Sequence, residues 1–248
     1  MIVRVLRVGR ARLVQRVPAT TRRRWRRTLF RARWGNLRRL RPMSSRFGFD
    51  RGTPVDRSYT QEFLARHARD VRGVVGEIAD DGYTRMFGGA AVERAEIVDI
   101  DSANPRASIV ADLAHPQGLP ARAFDCLIVT QTLQYVSDPA AAVRTCEQAL
   151  KPGGVLLLAV PALAAHDTVE TDDSDFWRFW PAGLAHLLEG SFERDAIEVE
   201  SRGNLVAAIA FLHGLAAEEL RPAELAANDS RFPIVVHARA TADRGGPA

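Results

Sequence analysis

The chain has 248 residues, of which 46% are hydrophobic and 26% charged; this composition suits one large globular domain with an appendage. No run approaches 18 apolar residues, so we expect no membrane-spanning helix, and the first residues do not resemble a secretory signal. The net charge of +4 hides a split: residues 1–49 contain sixteen arginines and no acid, while the remainder carries 18 basic and 30 acidic residues, a net charge of −12.

Residues 1–43 form the arginine-rich N-terminal arm of the predicted domain organisation. Its first part suggests a basic amphipathic helix that Pro18 would break. Such an arm suits an anionic membrane surface, nucleic-acid phosphates or an acidic protein, and arginine-rich leaders share this composition. A solvated arm, or a helix packed on the acidic domain, is the plainer alternative. We expect a cytoplasmic protein, with peripheral attachment to the inner membrane surface left open.

The predicted elements begin at about residue 44. The stretch DRSYTQEFLARHARDVRG predicts a helix that ends at Gly73. Seven strand-like runs follow along the chain, namely GVVGEIA, AEIVDI, ASIVADL, FDCLIVTQ, GVLLLAVP, DAIEVES and PIVVHARA. Helices are predicted between them, including Asp138 to Leu150 and the stretch NLVAAIAFLHGLAAEEL.

Near-continuous apolar strands alternating with helices predict a sheet that is buried on both faces and mostly parallel. The expected fold is a doubly wound, seven-stranded, Rossmann-like α/β domain over residues 44–240, with a disordered tail at 241–248. The two cysteines, Cys126 and Cys146, lack metal-ligand spacing, so we expect reduced core thiols and no metal site.

Acidic side chains follow the first three strands, where ligands bind in this fold class. Glu77 and Asp101 lie about twenty residues apart, which suits a cofactor containing ribose, because a carboxylate after the second strand can accept hydrogen bonds from ribose hydroxyls. Asp112 follows the third strand and could accept from an adenine amine. A single acid in such a place is more often a helix cap or a turn former, and the ordered series favours the site.

Residues 70–160 resemble the class I S-adenosylmethionine (SAM)-dependent methyltransferases of type 11. The matching motifs are VVGEIADDGY at the first strand, IVDID at the second, and the combination of LPARAFD, LQYVSDP and LKPGGVLLLAVP through the fifth. The upstream stretches WGNLRRLRP and FGFDRGTPVDRSYTQEFL are similar to a bacterial subgroup associated with glycan biosynthesis.

The resemblance implies SAM as cofactor and assigns its contacts along the chain. The residues that would face the methionyl end are Glu77, Ala79, Asp81 and Gly82. Asp101 would hold the ribose, and Asp112 with Leu113 would hold the adenine. Gln131 and Thr132 would stand near the methyl group or the acceptor.

The first motif departs from the family pattern, because the three family glycines fall at Ala79, Asp81 and Tyr83. If two of these positions need left-handed backbone, we expect a cost of about 1–2 kcal/mol at each. Asp80 or Asp81 could accept from the methionyl ammonium, or repel the methionyl carboxylate. We interpret the stretch as an altered loop that still binds.

The second departure follows the fourth strand, where Gln134 and Tyr135 replace the Glu-His pair of many relatives. Both are poor bases at neutral pH. His166 and Asp167, after the fifth strand, are therefore the candidate catalytic residues, although a surface-loop histidine is the plainer interpretation of His166.

The remaining candidates concern the acceptor. Tyr135, Trp177 and Arg178 are candidate acceptor-binding residues, since aromatic faces suit sugars or planar groups, or else they pack a lid. The acidic loop of Asp172, Asp173 and Asp175 suits a polar substrate or a metal, or is simply solvated.

The leading hypothesis is SAM-dependent methyl transfer to a small or glycan-linked acceptor, at oxygen. One alternative is a non-catalytic binding protein of the same fold in a surface-glycan assembly, which the altered glycine loop motivates. Another is an RNA methyltransferase that uses the basic arm. A nicotinamide dehydrogenase fits least, because EIADDGY provides no Gly-x-Gly-x-x-Gly.

Overall fold

The computed structural model describes residues 18, 21, 35–115, 118–167 and 174–243. The chain divides into two compact units, residues 1–41 and 42–248. In the first unit, the described part contains a short 3-10 helix, Gly35–Leu37. Most of the predicted arm, the acidic pair Asp172 and Asp173, and most of the predicted tail lie outside the described residues.

The second unit is built on one seven-stranded sheet in the order β3-β2-β1-β4-β5-β7-β6. The strands are β1 Gly73–Ile78, β2 Val92–Asp99, β3 Ile109–Val110, β4 Phe124–Thr130, β5 Leu150–Pro161, β6 Ile197–Arg202 and β7 Val235–Thr241. Strands β1 to β5 pair in parallel, and β7 runs antiparallel to both β5 and β6. The expectation of a doubly wound, mostly parallel, seven-stranded sheet is confirmed.

The helices are α1 Val55–Arg66, α2 Gly82–Phe87, α3 Pro139–Ala149, α4 Pro181–Leu188, α5 Leu205–Leu212 and α6 Pro222–Ala226. Two of them have side-chain N-caps, since Asp138 accepts from the N–H of Ala141 and Asn204 from that of Ala207. These caps satisfy backbone donors that would otherwise lack partners.

The core lies on both faces of the sheet, because alternate residues of a strand point to opposite sides. Leu156 and Leu158 of β5 face α3 and α4, whereas Val155 and Leu157 pack with residues of α1 and α2. Both cysteines are free and buried in these layers. The sequences of β4 and β5 are therefore almost continuously apolar because both faces of these strands are buried, as the sequence suggested.

Three predicted elements end earlier than the pattern indicated. The helix before β1 stops at Arg66, and a 3-10 turn, Ala68–Asp70, leads to the strand. The third strand is reduced to Ile109–Val110. The long helix predicted over NLVAAIAFLHGLAAEEL ends at Leu212, because Gly214 adopts a φ of +68° where an added Cβ would lie 2.5 Å from the carbonyl oxygen of Ser44.

Within the described residues, no helix is both long and apolar enough to cross a membrane. The same part of the chain contains no cluster of three or more His, Cys, Asp or Glu side chains with the arrangement of a metal site.

Candidate active site at the carboxyl edge of the sheet

The sheet reverses its strand order between β1 and β4, which are neighbours although β2 and β3 lie between them in the chain. Ligands of open α/β sheets bind outside the carboxyl ends of the strands at such a point. The loops that follow β1, β2 and β4 meet there. The site is therefore built from residues 79–82, 99–104 and 131–135.

Glu77 holds the first loop in place. It is 3% exposed, and its two carboxylate oxygens accept from the backbone N–H groups of Tyr83 and Thr84 at 3.0 and 2.7 Å and from the Thr84 hydroxyl at 2.8 Å. Burial raises the pKa of the Glu77 carboxyl, and the hydrogen bonds from Thr84 and Tyr83 counteract that shift. The structure thus gives Glu77 the task of fixing the turn into α2.

Only one of the three family glycine positions requires left-handed backbone. Ala79 has a φ of +69°, whereas Asp81, the residue before α2, has a φ of −119° and Tyr83 lies within α2. The Tyr83 ring packs in the core cluster of Phe63 and Val75. The strain that the sequence suggested for two positions therefore falls on Ala79 alone, since side chains fit freely where φ is negative.

The two aspartates of the loop are engaged locally. Asp80 Oδ1 accepts from the N–H of Gly82 at 2.7 Å, and Asp81 is ion-paired with both Arg85 and Arg106. The hydrogen bond from Arg85 is the main reason why the pKa of Asp81 lies below its usual value. Two guanidinium groups neutralise Asp81, so the repulsion expected between this loop and a methionyl carboxylate is reduced.

The acid that ends the second strand is Asp99, which the sequence analysis did not select. Asp99 is the last residue of β2, and its oxygens accept from the N–H of Asp101 at 3.0 Å and from Asn104 Nδ2 at 2.6 Å. Asn104 Nδ2 also donates to the carbonyl of Ala79 at 3.1 Å. This link ties Asp99 to the first loop. Asp101 itself is exposed, and its carboxylate accepts from the N–H of Ala103.

The predicted adenine residues lie after β3. Asp112 Oδ1 accepts from the N–H of Ala114 at 2.8 Å, which closes a turn, and Leu113 is 5% exposed in the core. Ile100, beside Asp99, is 70% exposed. An exposed aliphatic side chain next to the carboxylate at the tip of β2 offers an apolar surface to a planar base.

The tip of β4 has unusual backbone. Gln131 has a φ of +50°, and non-glycine residues in this region cluster at functional sites. Its side chain links two others: Gln134 Nε2 donates to Gln131 Oε1 at 3.1 Å, and Gln131 Nε2 donates to Asp56 Oδ2 at 3.2 Å. Thr132 donates its hydroxyl to the carbonyl of Thr130 at 3.0 Å.

Asp56, in the first turn of α1, is a second carboxylate at this edge that the sequence pattern did not indicate. Its Oδ1 atom is buried without a hydrogen-bond partner among the residues that the structure describes. Burial raises the pKa of this carboxyl to about 6. An acid in the first turn of a helix ordinarily indicates only a favourable helix terminus, so the sequence contained no signal for this placement.

The candidate catalytic and acceptor residues follow β4 and β5. Tyr135 donates its hydroxyl to Asp167 Oδ2 at 3.4 Å, and Asp175 Oδ2 accepts from the N–H of Asp167 at 3.0 Å. Asp175 also binds Arg178, whose Nη2 atom lies 2.7 Å from Asp175 Oδ2. Burial and the Asp167 charge raise the pKa of Tyr135 to about 12. The structure therefore brings Tyr135, Asp167 and Arg178 into one network.

The aromatic residues of the same region are partly exposed. Trp177 is 42% exposed and donates its indole N–H to the carbonyl of Val136 at 2.9 Å, while Trp180 is 58% exposed. His166 is exposed beside the buried Asp167. The hydrogen bond from Arg178 is the main reason why the pKa of Asp175 lies below its usual value.

Residues 90–158 match a family described as a methyltransferase domain (type 11), from the turn before β2 to within β5. Among solved structures, the CurJ carbon methyltransferase is 14% identical, with a TM-score of 0.51 over 80% of this chain and 57% of that chain. A SAM-dependent methyltransferase from Archaeoglobus fulgidus is 14% identical, with a TM-score of 0.47 over 74% of this chain and 93% of that chain. No curated protein matches the chain.

The sheet order and the match over residues 90–158 are those of a SAM-dependent methyltransferase domain. This domain match implies SAM as the cofactor. The site fits this cofactor chemically. A carboxylate at the tip of β2 suits ribose hydroxyls, and Asp56 Oδ1, which has no hydrogen-bond partner within the described ranges, suits a donor on the ligand.

The backbone at Ala79 permits a first prediction. We expect Ala79→Gly to raise the free energy of unfolding by about 0.5–1 kcal/mol. The substitution removes about 1–2 kcal/mol of strain from the left-handed backbone of the folded state. It also increases the conformational entropy of the unfolded chain, which costs about 0.5–1 kcal/mol of stability. Urea unfolding measures the change. The matched control is Ala227→Gly at an exposed residue with a φ of −65°, which should lose about 0.5–1 kcal/mol. A loss of stability at both positions would contradict the prediction.

Proposed function

We propose that this methyltransferase acts on a hydroxyl oxygen of a small or glycan-linked acceptor, and that Asp167 accepts the hydroxyl proton. The observation that supports the proposal is the network after β4 and β5. There Asp167, which is 8% exposed, accepts a hydrogen bond from the Tyr135 hydroxyl. Tyr135 follows Gln134 in the chain, and the Gln134 side chain is hydrogen-bonded to that of Gln131.

The chemistry requires a proton acceptor beside the reacting oxygen. When bound, SAM supplies an electrophilic methyl group on a sulfonium. A hydroxyl becomes a better nucleophile as it transfers its proton, and a positioned base contributes about 10²–10⁴-fold. Tyr135, with its pKa raised to about 12, stays protonated at neutral pH and acts as a donor. The Asp167 carboxylate accepts the hydrogen bond from the Tyr135 hydroxyl, and Asp175 accepts one from the backbone N–H of Asp167.

The surroundings support an acceptor with a flat or sugar-like face. Phe176, Trp177 and Trp180 are each between 42% and 58% exposed, and exposed aromatic faces bind sugars and planar groups. The backbone N–H groups of Phe176 and Trp177 donate to the carbonyl of Gln134 at 2.8 and 3.2 Å. The aromatic segment is therefore anchored to the loop after β4.

A methyl-transfer assay with isotopically labelled SAM tests the proposal. The acceptors offered are phenols, monosaccharides and nucleotide sugars, with primary amines and RNA as the competing classes. We expect label in a hydroxyl acceptor, and we expect Asp167→Asn to lower its rate about 10²–10⁴-fold while S-adenosylhomocysteine still binds. Asp195→Asn, at an exposed aspartate in the turn before β6, is the matched control, and it should keep the rate within about threefold.

Three outcomes would overturn the proposal. Label that enters only amines would exclude oxygen as the methylated atom, and label that enters only RNA would exclude a small or glycan-linked acceptor. A variant Asp167→Asn that transfers methyl at the wild-type rate would exclude Asp167 as the proton acceptor.

A further inference from the structure

The Asp56 carboxylate is buried with fewer hydrogen bonds than its two oxygens can accept. Its Oδ1 atom is buried and lacks a partner in the described part of the chain, and its Oδ2 atom accepts one hydrogen bond, from Gln131 at 3.2 Å. A buried carboxylate oxygen without a donor is destabilising, and buried polar atoms in native proteins are nearly always hydrogen-bonded, so this one calls for a partner.

The neighbouring cation does not satisfy Asp56. Arg57 donates Nε–H to the Tyr83 hydroxyl at 3.1 Å, and its guanidinium lies 5.4 Å from the centre of the Phe49 ring and 5.5 Å from that of Tyr83. The Arg57 side chain is therefore held between two aromatic rings. Asp56 Oδ1 is thus left without a side-chain donor among the described residues. The backbone N–H groups of Arg57 and Asp56 offset only part of the effect of burial on the pKa of this carboxyl.

The position of Asp56 identifies the part of the cofactor that it would meet. Gln131, its hydrogen-bond partner, is at the tip of β4, and β1, which leads into residues 79–82, is the adjacent strand. In this fold these two loops flank the bound ligand. The methionyl end carries an α-ammonium group, the one cation of SAM that has N–H donors.

We propose that Asp56 Oδ1 accepts a hydrogen bond from the α-ammonium group of the methionyl end, with Gln131 holding the other oxygen of the carboxylate. This inference rests on the proposed use of the site for SAM. Asp56 lies outside residues 90–158, which match the methyltransferase domain family, and it is distinct from Asp80 and Asp81, whose carboxylates are engaged within the first loop.

Ionisation of Asp56 adds a second signature. Since burial raises its pKa to about 6, only about a tenth of the carboxyl groups are charged at pH 5, and nearly all are charged above pH 7. The charged and titratable groups around it are Arg57, Tyr83, and beyond them Asp80 and Glu77. The amine of the ligand stays protonated over this range, so affinity should rise about tenfold from pH 5 to pH 7.

Isothermal titration of the full chain with two stable ligands tests the inference. S-adenosylhomocysteine carries the α-ammonium group, and 5′-methylthioadenosine lacks the whole amino-acid end. We expect Asp56→Asn to weaken S-adenosylhomocysteine about 10- to 100-fold at pH 7.5, the range for a charge-assisted hydrogen bond, and to remove the pH dependence. Binding of 5′-methylthioadenosine should change less than about twofold.

Asp125→Asn is the matched control. Asp125 is half-buried and paired with Lys151 at 2.6 Å near the start of β4, at the opposite edge of the sheet, so this variant should bind both ligands as the wild type does. Equal binding of S-adenosylhomocysteine by wild type and Asp56→Asn would overturn the inference, and so would an equal loss of both ligands. No binding of S-adenosylhomocysteine to the wild type would instead overturn the proposed function itself.

Discussion

Asp56→Asn is expected to raise the free energy of unfolding of the ligand-free protein at neutral pH. The difference between variant and wild type should be up to about 3 kcal/mol more favourable to the variant at pH 7 than at pH 4. The substitution replaces a carboxyl whose pKa is raised to about 6 by burial with a neutral amide of the same shape. Asn retains an oxygen that can accept from Gln131, so the existing hydrogen bond can persist.

The sign follows from proton binding. The pKa of Asp56 is higher in the folded state than the ordinary value of 3.8, so between about pH 4 and pH 6 the folded protein binds more protons than the unfolded chain. The stability that comes from this group is fully present below pH 4 and is lost as the pH rises through 6. The variant lacks this loss, and the two stability curves therefore diverge between pH 4 and pH 7.

Urea unfolding of both proteins at pH 4, 5, 6 and 7 measures the divergence. Glu77, whose pKa is also raised by burial, contributes equally to both proteins and cancels in the difference. A difference that stays constant across this pH range would show that Asp56 titrates normally and has no uncompensated charge.

A stabilising substitution that weakens cofactor binding is the expected signature of a binding group. Proteins keep destabilising groups at sites where activity needs them, and their removal commonly raises stability. The stability measurement needs no ligand, whereas the ligand titrations need no denaturant. The two experiments therefore test the placement and the use of Asp56 separately.

The strands were predictable because burial on both faces leaves a direct trace in the sequence. The central strands β4 and β5 are continuous apolar runs. The acid after β2 could not be chosen in the same way. Asp99 and Asp101 are two residues apart, so alternation along a strand would place both on the same face. Which of the two ends the strand depends on where β2 stops, and sequence patterns locate strand ends only to within a few residues.

Backbone conformation in the first loop was also beyond the sequence. The pattern showed which glycines are replaced, but only the coordinates show that Ala79 alone takes a positive φ. Asp56 was missed for a related reason, because its contact with Gln131 spans 75 residues of chain. Long-range pairs of polar side chains leave no periodicity in a single sequence.

Glu77→Gln is expected to lower the free energy of unfolding by about 1–3 kcal/mol, because it leaves a buried donor without its acceptor. This cost outweighs the relief of the burial that raises the pKa of Glu77, whereas Asp56→Asn keeps its one hydrogen bond. The two Glu77 oxygens accept three bonds, from the N–H groups of Tyr83 and Thr84 and from the Thr84 hydroxyl. Glutamine keeps one acceptor oxygen and turns an amide N–H₂ toward the remaining donors. At least one donor at the start of α2 then loses its partner.

Two further variants locate the effect. Thr84→Val removes only the hydroxyl bond and should cost about 1 kcal/mol. Glu96→Gln is the matched control on β2, where the carboxylate pairs with a largely exposed Arg94, and it should change stability by less than about 0.5 kcal/mol. Urea unfolding at pH 7.5 ranks the three variants.

The Glu77 substitution should also reach the cofactor. The bonds from Glu77 fix the turn that contains Ala79 to Gly82, so their loss should weaken S-adenosylhomocysteine even in variant protein that is fully folded at low temperature, whereas Glu96→Gln should bind it normally. If Glu77→Gln unfolds at the wild-type urea concentration, the carboxylate does not hold the turn. The altered first loop would then owe its conformation to the Asn104 bond to Ala79 instead.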